Sequence, residues 1–360
     1  KFAILASILL LSTVLMTVNA SSRFLKNNAE DVLMVDIGGE ALFSRRVLRD
    51  LIDPVIVKDD IRKGQQLNER PVIGILTQYF NGTNDYIMAA YVKFAEAAGA
   101  RVVPIRWRDS DESIKNLVSK LNGVLLPGGA PELQNDDGSL TELSRKGKVI
   151  LEKVKEINDQ GTYLPLWGTC LGFQMITAIE APYPDTLQIY KFEADDITNN
   201  VTLSNKISKS KFFQSMPQHL VTALQKENIT YNHHHDGVYP ETFNKYPALR
   251  EYMVLGTSFD ENEVEYVAIV ENKKYPIWGI QFHPEKTAFI WKADLHIPHD
   301  ANSIAFEQYI ANFFVGESRK NFNSFSSEEE AFGLYIENID VVLTPAAAWD
   351  VYLFENTASS

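Results

Sequence analysis

From Arg70 onward the sequence alternates short apolar runs with amphipathic stretches, and this alternation restricts the fold more than any other feature. Pro71-Val72-Ile73-Gly74-Ile75-Leu76, Arg101-Val102-Val103-Pro104-Ile105, Gly123-Val124-Leu125-Leu126-Pro127 and the run Tyr163 to Trp167 read as buried strands. Helices are predicted between them. Asn84 to Ala98 carries Tyr86, Ala90, Phe94 and Ala98 at i, i+4 spacing and closes on Gly99. Asp109 or Ser110 caps a helix to Leu121, and a long helix runs from about Leu140 to Asn158. Strand and helix alternating through short loops mean an α/β fold, a doubly wound and mostly parallel sheet that binds ligands at the strands' carboxyl ends. Val254 to Phe259, Val264 to Val270 and Ile277 to Phe282 follow more closely and predict an antiparallel addition. A helix from about Asn302 to Glu317 lines up Phe306, Tyr309, Ile310, Phe313 and Phe314, an aromatic stripe that reads as core. No internal repeat is present.

Cys170 is the single cysteine of the 360 residues, and it falls where the strand ending near Trp167 breaks into a helix. Such an elbow exposes a side chain at the carboxyl edge of the sheet, with the next amides and the positive helix end favouring a thiolate. A lone cysteine is also a common core residue, so its partners decide. Gly128-Gly129 ends the preceding strand at the same edge, where backbone amides can approach a developing oxyanion with no Cβ in the way. His283 and Glu285 close the run Trp278-Gly279-Ile280-Gln281-Phe282-His283-Pro284-Glu285. At a strand end, residues i and i+2 point the same way, and Pro284 stops the ladder between them. His283 can then face the thiol while Glu285 fixes its other nitrogen, the logic of a nucleophile, a base and an orienting acid.

At the N-terminus Lys1 precedes an apolar run, Phe2 to Val18, followed by the small residues of Val18-Asn19-Ala20, the pattern of a secretory signal peptide over 1–20. The run falls short of the ~20 residues of a spanning helix, although an uncleaved anchor is the alternative. Residues 21–68 read as a propeptide-like arm with a possible processing site at Arg45-Arg46, 69–320 as the catalytic domain, and 321–360 as a linker and a tail without readable period. In a secreted chain Asn81, Asn200 and Asn228 are glycosylation acceptors, and the lone thiol has no disulfide partner. The lysosome, the vacuole or the extracellular space are the expected destinations. A net charge of −13 argues against nucleic acid or an anionic membrane as partner.

Pro127-Gly128-Gly129, Gly168-Thr169-Cys170-Leu171-Gly172 and His283-Pro284-Glu285 together resemble the class I glutamine amidotransferase superfamily, with its flavodoxin-like sheet. Arg70-Pro71-Val72-Ile73-Gly74-Ile75-Leu76, Ala97-Ala98-Gly99-Ala100-Arg101-Val102-Val103-Pro104, Leu166-Trp167-Gly168-Thr169-Cys170-Leu171-Gly172-Phe173 and His283-Pro284-Glu285-Lys286 narrow the resemblance to the γ-glutamyl hydrolases, from about Arg70 to Lys320. The resemblance implies Cys170 as nucleophile on a γ-amide carbonyl, His283 as base and then acid, and Glu285 as its orienting partner. It implies the Leu171 and Gly129 amides as oxyanion hole, a folyl poly-γ-glutamate as substrate, no metal or organic cofactor, and a possible homodimer. Within Asn232-His233-His234-His235 it points to His234 as a substrate-side histidine. The same run also reads as a solvent-facing polar stretch or, with less support, as a metal site. Arg106, Arg108, Lys286 and Lys292 lie by sequence order near the expected mouth, as collectors of substrate carboxylates or as ordinary surface charges. A glutaminase-type subunit and a non-catalytic binding relative stay open as alternatives. The signal peptide speaks against the first and the intact trio against the second.

Overall fold

The central sheet takes four strands from the first half of the chain: β1 (Val72–Leu76), β2 (Arg101–Ile105), β3 (Gly123–Leu126) and β4 (Leu166–Thr169). The second half adds β5 (Thr202–Leu203), β6 (Tyr252–Phe259), β7 (Glu265–Asn272) and β8 (Ile277–Ile280). Their order across the sheet is β5-β6-β7-β8-β4-β3-β1-β2. From β8 to β2 all neighbours are parallel, while β5, β6 and β7 form the antiparallel addition. This is the doubly wound sheet with an antiparallel extension that the alternation implied. The computed structural model describes residues 66–80, 84–343 and 349–355, with the backbone of 32–33 and 43–44. The expected signal peptide, nearly all of the arm to residue 68, and Asn81 lie outside the described residues. The chain divides into two units, Lys1–Pro54 and Val55–Ser360; in the first, Val32–Leu33 pairs antiparallel with Phe43–Ser44.

Every residue of β1, β3, β4 and β8 is buried, because helices cover both faces. The period of two divides the core: Trp167 and Trp278 point to one face, Leu166 and Ile277 to the other. On the first face the helices α1 (Ala89–Ala97) and α5 (Ala301–Ser318) supply Phe94, Phe313 and Phe314, and Trp278 meets Phe313 edge-on at 5.0 Å. On the second, α2 (Asp111–Val118), α3 (Glu142–Asp159) and α4 (Leu171–Glu180) supply Ile114, Ile150, Val154 and Ile176. Ser110 caps α2 by accepting from Ser113 N–H at 3.1 Å, one of the two caps expected. No helix among the described residues is long and apolar enough to cross a membrane.

Three local readings change. Asn84–Met88, expected as the first turn of a helix, is a strand, and α1 begins only at Ala89. Its backbone is claimed by a strand from the tail, Asp350–Glu355, in a four-stranded sheet completed by Gln78–Tyr79 and Val341–Leu343. Pairing across the whole length of the chain outweighs the local i, i+4 pattern, and the unread tail is built into the fold. The strand placed at Tyr163 begins at Leu166, since Pro165 has no N–H to give to the ladder. Within the expected linker, Ser327 caps a helix, Glu328–Leu334.

A Cβ on Gly172, in the first turn of α4, would strike the backbone carbonyl of Leu126 in β3, which cannot swing aside as a side chain would. Gly172→Ala is expected to cost about 3 kcal/mol, read as a lower urea midpoint; an unchanged midpoint would contradict this close packing.

Candidate active site

Three neighbouring parallel strands end side by side. β8, β4 and β3 are in register through Ile280↔Thr169 and Leu126↔Gly168, so the residues just beyond their carboxyl ends share one edge of the sheet. Those residues are Gln281-Phe282-His283, Cys170 and Pro127-Gly128-Gly129. Cys170 stands at the N-cap of α4 with φ 49° and ψ −108°, a left-handed conformation that costs a non-glycine residue on the order of 1–3 kcal/mol. Its own N–H is fixed on the Ile280 carbonyl at 2.7 Å. The side chain is thereby turned out of the sheet at the end of a helix whose first amides, Leu171 among them, have no intrahelical acceptor. A Cβ on Gly128 would lie 2.5 Å from Tyr91 Oη, 2.8 Å from His283 Cε1 and 3.2 Å from Cys170 Cβ. Only glycine fits between the thiol and the imidazole.

His283 is almost wholly buried and its Nδ1 lies 2.7 Å from Glu285 Oε1. A carboxylate only accepts, so Nδ1 carries the proton, and Nε2 is left without a partner among the described residues. The expected pairing is present, but Glu285 reaches His283 from a helical turn, Pro284–Thr287, and not along an extended strand. Proline at the first helical position is pre-set for that turn. Burial and the Lys286 cation oppose a charge on His283; the charges of Cys170 and Glu285 outweigh them and raise its pKa above 6.5.

Four side chains to which the sequence analysis gave no role tie this edge together. Tyr91, on α1, accepts a hydrogen bond from Gly128 N–H at 2.7 Å, and its oxygen lies 3.4 Å from His283 Nδ1. Burial and the Glu285 charge hold it firmly protonated. Gln281 Nε2 donates to Cys170 Sγ at 3.6 Å, and Gln174 Nε2 donates to Gln281 Oε1 at 3.3 Å. Buried glutamine or tyrosine at these positions carried no local signal, because their partners come from other elements. Gln78 Nε2 donates to the carbonyls of both Pro127 and Gly128 at 3.2 Å. Carbonyl and N–H of a trans peptide point in opposite directions, so the Gly129 N–H faces away from Gln78.

His234 is buried in the strand Thr230–His234 and is not part of a solvent-facing run. The strand is tied to the site by a hydrogen bond from His283 N–H to the Tyr231 carbonyl, 2.8 Å long. His234 Nδ1 donates to the Asp236 carbonyl at 2.9 Å, an oxygen shared with Gln174, while its Nε2 is buried without a partner among the described residues. Burial and the charge of His283 drive its pKa from 6.5 down to about 3. His233 Nδ1 lies 2.7 Å from Asp195 Oδ1, not aligned as a hydrogen bond, and its pKa is lowered to about 4 by burial and Lys286. No group of three or more His, Cys, Asp or Glu among the described residues is placed to hold a metal. Arg106 and Arg108 both bind the buried Asp85, at 3.1 and 2.8 Å. Asn200 and Asn228 are exposed.

An elbow cysteine, a histidine–carboxylate pair and a glycine loop on one edge of a doubly wound sheet are the groups that hydrolysis through a thiol requires. Residues 71–285 match the family model Peptidase C26, and the chain belongs to that family. It is 36% identical over 303 residues to γ-glutamyl hydrolase B of Dictyostelium discoideum, covering 82% of this chain and 86% of that protein. Likeness at 36% identity extends to the γ-glutamyl hydrolase of Rattus norvegicus, over 73% of this chain and 82% of the other, and to γ-glutamyl hydrolase 1 of Arabidopsis thaliana, over 73% and 76%. Among solved structures, the glutaminase domain of Trypanosoma brucei CTPS is a distant likeness: 15% identity, 70% of this chain, 95% of that one, TM-score 0.44.

The two histidines pull stability in opposite directions with pH. His234 has a folded pKa below its unfolded one, so its contribution is complete above about 6.5 and is lost as pH falls toward about 3. His283, with a raised folded pKa, contributes below about 6.5 and loses its share as pH rises through that pKa. His234→Gln is expected to flatten the acid-side loss of thermal midpoint, and an acid slope equal to wild type would contradict a neutral buried ring.

Proposed function

We propose that this chain is a cysteine-dependent γ-glutamyl hydrolase that cleaves γ-glutamyl bonds of folyl poly-γ-glutamates. One observation carries the reading: Cys170, His283 and the Gly128-Gly129 loop converge at the ends of three adjacent parallel strands, in a chain whose relatives are named γ-glutamyl hydrolases.

In this reading His283 Nε2 takes the thiol proton of Cys170, Sγ attacks the γ-carbonyl carbon, a C–S bond forms, and the carbonyl electron pair moves to oxygen. The Gly129 and Leu171 amides receive that oxyanion; Gly128 N–H is already spent on Tyr91, which leaves the next amide for the task. The C–N bond then breaks and His283 gives its Nε2 proton to the leaving amine. Water attacks the γ-glutamyl thioester, His283 takes its proton, and Sγ departs as the γ-carboxylate forms. Glu285 keeps the proton on Nδ1 throughout, so Nε2 is always the nitrogen that exchanges. His234 stays neutral even in acid, and its bare Nε2 offers an acceptor on the substrate side. The expected signal peptide and the exposed Asn200 and Asn228 support entry to the secretory pathway, with the lysosome, vacuole or exterior as destination.

The test is incubation of the purified protein at mildly acidic pH with a pteroylpolyglutamate and, separately, with free glutamine. Shortened folates from wild type and none from Cys170→Ala or His283→Ala are expected. Ammonia from glutamine with untouched polyglutamate would place the chain among glutaminases. Tyr91→Phe keeps the ring and removes the hydroxyl that joins the oxyanion loop to the imidazole pair. It should lower kcat about tenfold with KM little changed, less than the ~10²–10³ lost with an oxyanion donor itself; an unaltered kcat would remove Tyr91 from this account.

A further inference from the structure

The residue after Glu285 is a cation without an anion. Lys286 is 2% exposed, yet its ammonium makes no hydrogen bond or ion pair with any described residue. Two rings hold it instead, Tyr231 at 5.3 Å and Trp349 at 4.7 Å from the ring centres. Tyr231 also gives its carbonyl to His283 N–H at 2.8 Å, which places the ammonium at the edge of the site. Lys292 places its Nζ 4.4 Å from the same Trp349 indole, again with no carboxylate in ion-pair range among the described residues. Cation–π contacts of this kind contribute about 0.5–2 kcal/mol each. They do not offset both the desolvation of a buried ammonium and the repulsion of a second one beside it. The carboxylates close enough to act on Lys286 are Glu285, Asp195 and Asp196. Glu285 is engaged with His283, Asp196 accepts from Tyr231 Oη and His296 N–H at 2.8 Å, and Asp195 lies against His233; none of the three is within ion-pair distance of the Lys286 ammonium.

Trp349 comes from the tail. The strand that follows it, Asp350–Glu355, pairs with Asn84–Met88 immediately before α1, the helix that carries Tyr91. Lys286, Lys292 and Trp349 all lie outside the residues matched by the family model, 71–285. We propose that Lys286 and Lys292, gathered on Trp349, form an anion subsite beside Cys170 that holds a free α-carboxylate of the γ-linked glutamyl chain. The C-terminal segment thereby takes part in choosing the substrate. This deepens the hydrolase reading and rests on it: a chain linked through γ-carboxyls leaves every α-carboxylate free, spaced along the tail it presents.

The experiment uses the full chain carrying Cys170→Ala, which separates binding from turnover, with tri-γ-glutamate as probe and its α-carboxamide analogue as neutral control, measured by calorimetry. Adding Lys292→Ala or Trp349→Leu should weaken tri-γ-glutamate about tenfold and leave the analogue unchanged, while Trp349→Phe should restore part of the affinity. In the active chain the same substitutions should raise KM with kcat nearly constant. Equal affinity of all variants for tri-γ-glutamate, or an equal loss for the neutral analogue, would overturn the subsite even if hydrolysis is robust. Failure of the hydrolase reading looks different: tight, carboxylate-dependent binding with no turnover by the wild-type chain. Unchanged thermal midpoints of Lys292→Ala and Trp349→Phe exclude misfolding as the cause.

Discussion

The parallel pairing of β8 with β4 and of β4 with β3 is the interaction on which everything else depends. Because Ile280 stands opposite Thr169 and Leu126 opposite Gly168, the three strands end at nearly the same level. Imidazole, thiol and glycine loop therefore meet without any long side chain having to reach. The same ladder supports the strained elbow. Cys170 donates to Ile280 at 2.7 Å, and α4 lies so close to β3 that Gly172 has no room for a Cβ. A left-handed cysteine persists only where its neighbours leave it no alternative.

Outward from that edge runs a second layer of buried polar contacts. Cys170, Gln281, Gln174, the Asp236 carbonyl and His234 form one connected path. It begins at Cys170, beside a histidine whose pKa is raised by nearby negative charge, and ends at a histidine lowered by burial. The two imidazoles thus shift in opposite directions, His283 toward holding a proton and His234 toward staying neutral in acid.

What could be read from the sequence was what is encoded locally. Buried strands, the Ser110 cap of α2 and the elbow around Cys170 depend on residues within a few positions of one another, and apart from the strand start at Leu166 they stand where expected. His283 and Glu285 were legible because proline marks the end of the strand between them, although the turn that joins them is helical. The strand Asn84–Met88 was not legible: its helical spacing is genuine, but its hydrogen bonds go to the tail, more than half the molecule away in sequence. Tyr91 falls outside the i, i+4 stripe read for that helix, and its hydroxyl acquires a purpose only when Gly128 arrives from another strand. Trp349, in a tail without period, means nothing until Lys286 and Lys292 are placed on its ring. Arg106 and Arg108 illustrate the reverse, cations expected at the mouth whose guanidinium groups are bound to the buried Asp85.

The central claim is that the edge formed by β3, β4 and β8 makes Cys170 a covalent nucleophile. The most direct measurement is rapid quenching of a turnover reaction followed by mass spectrometry of the peptide containing Cys170, with hydroxylamine as a control. The account predicts a hydroxylamine-labile γ-glutamyl adduct on Cys170 that is absent in Cys170→Ala and strongly diminished in His283→Ala. Continued turnover by Cys170→Ala, with no adduct on the wild-type peptide, would contradict it.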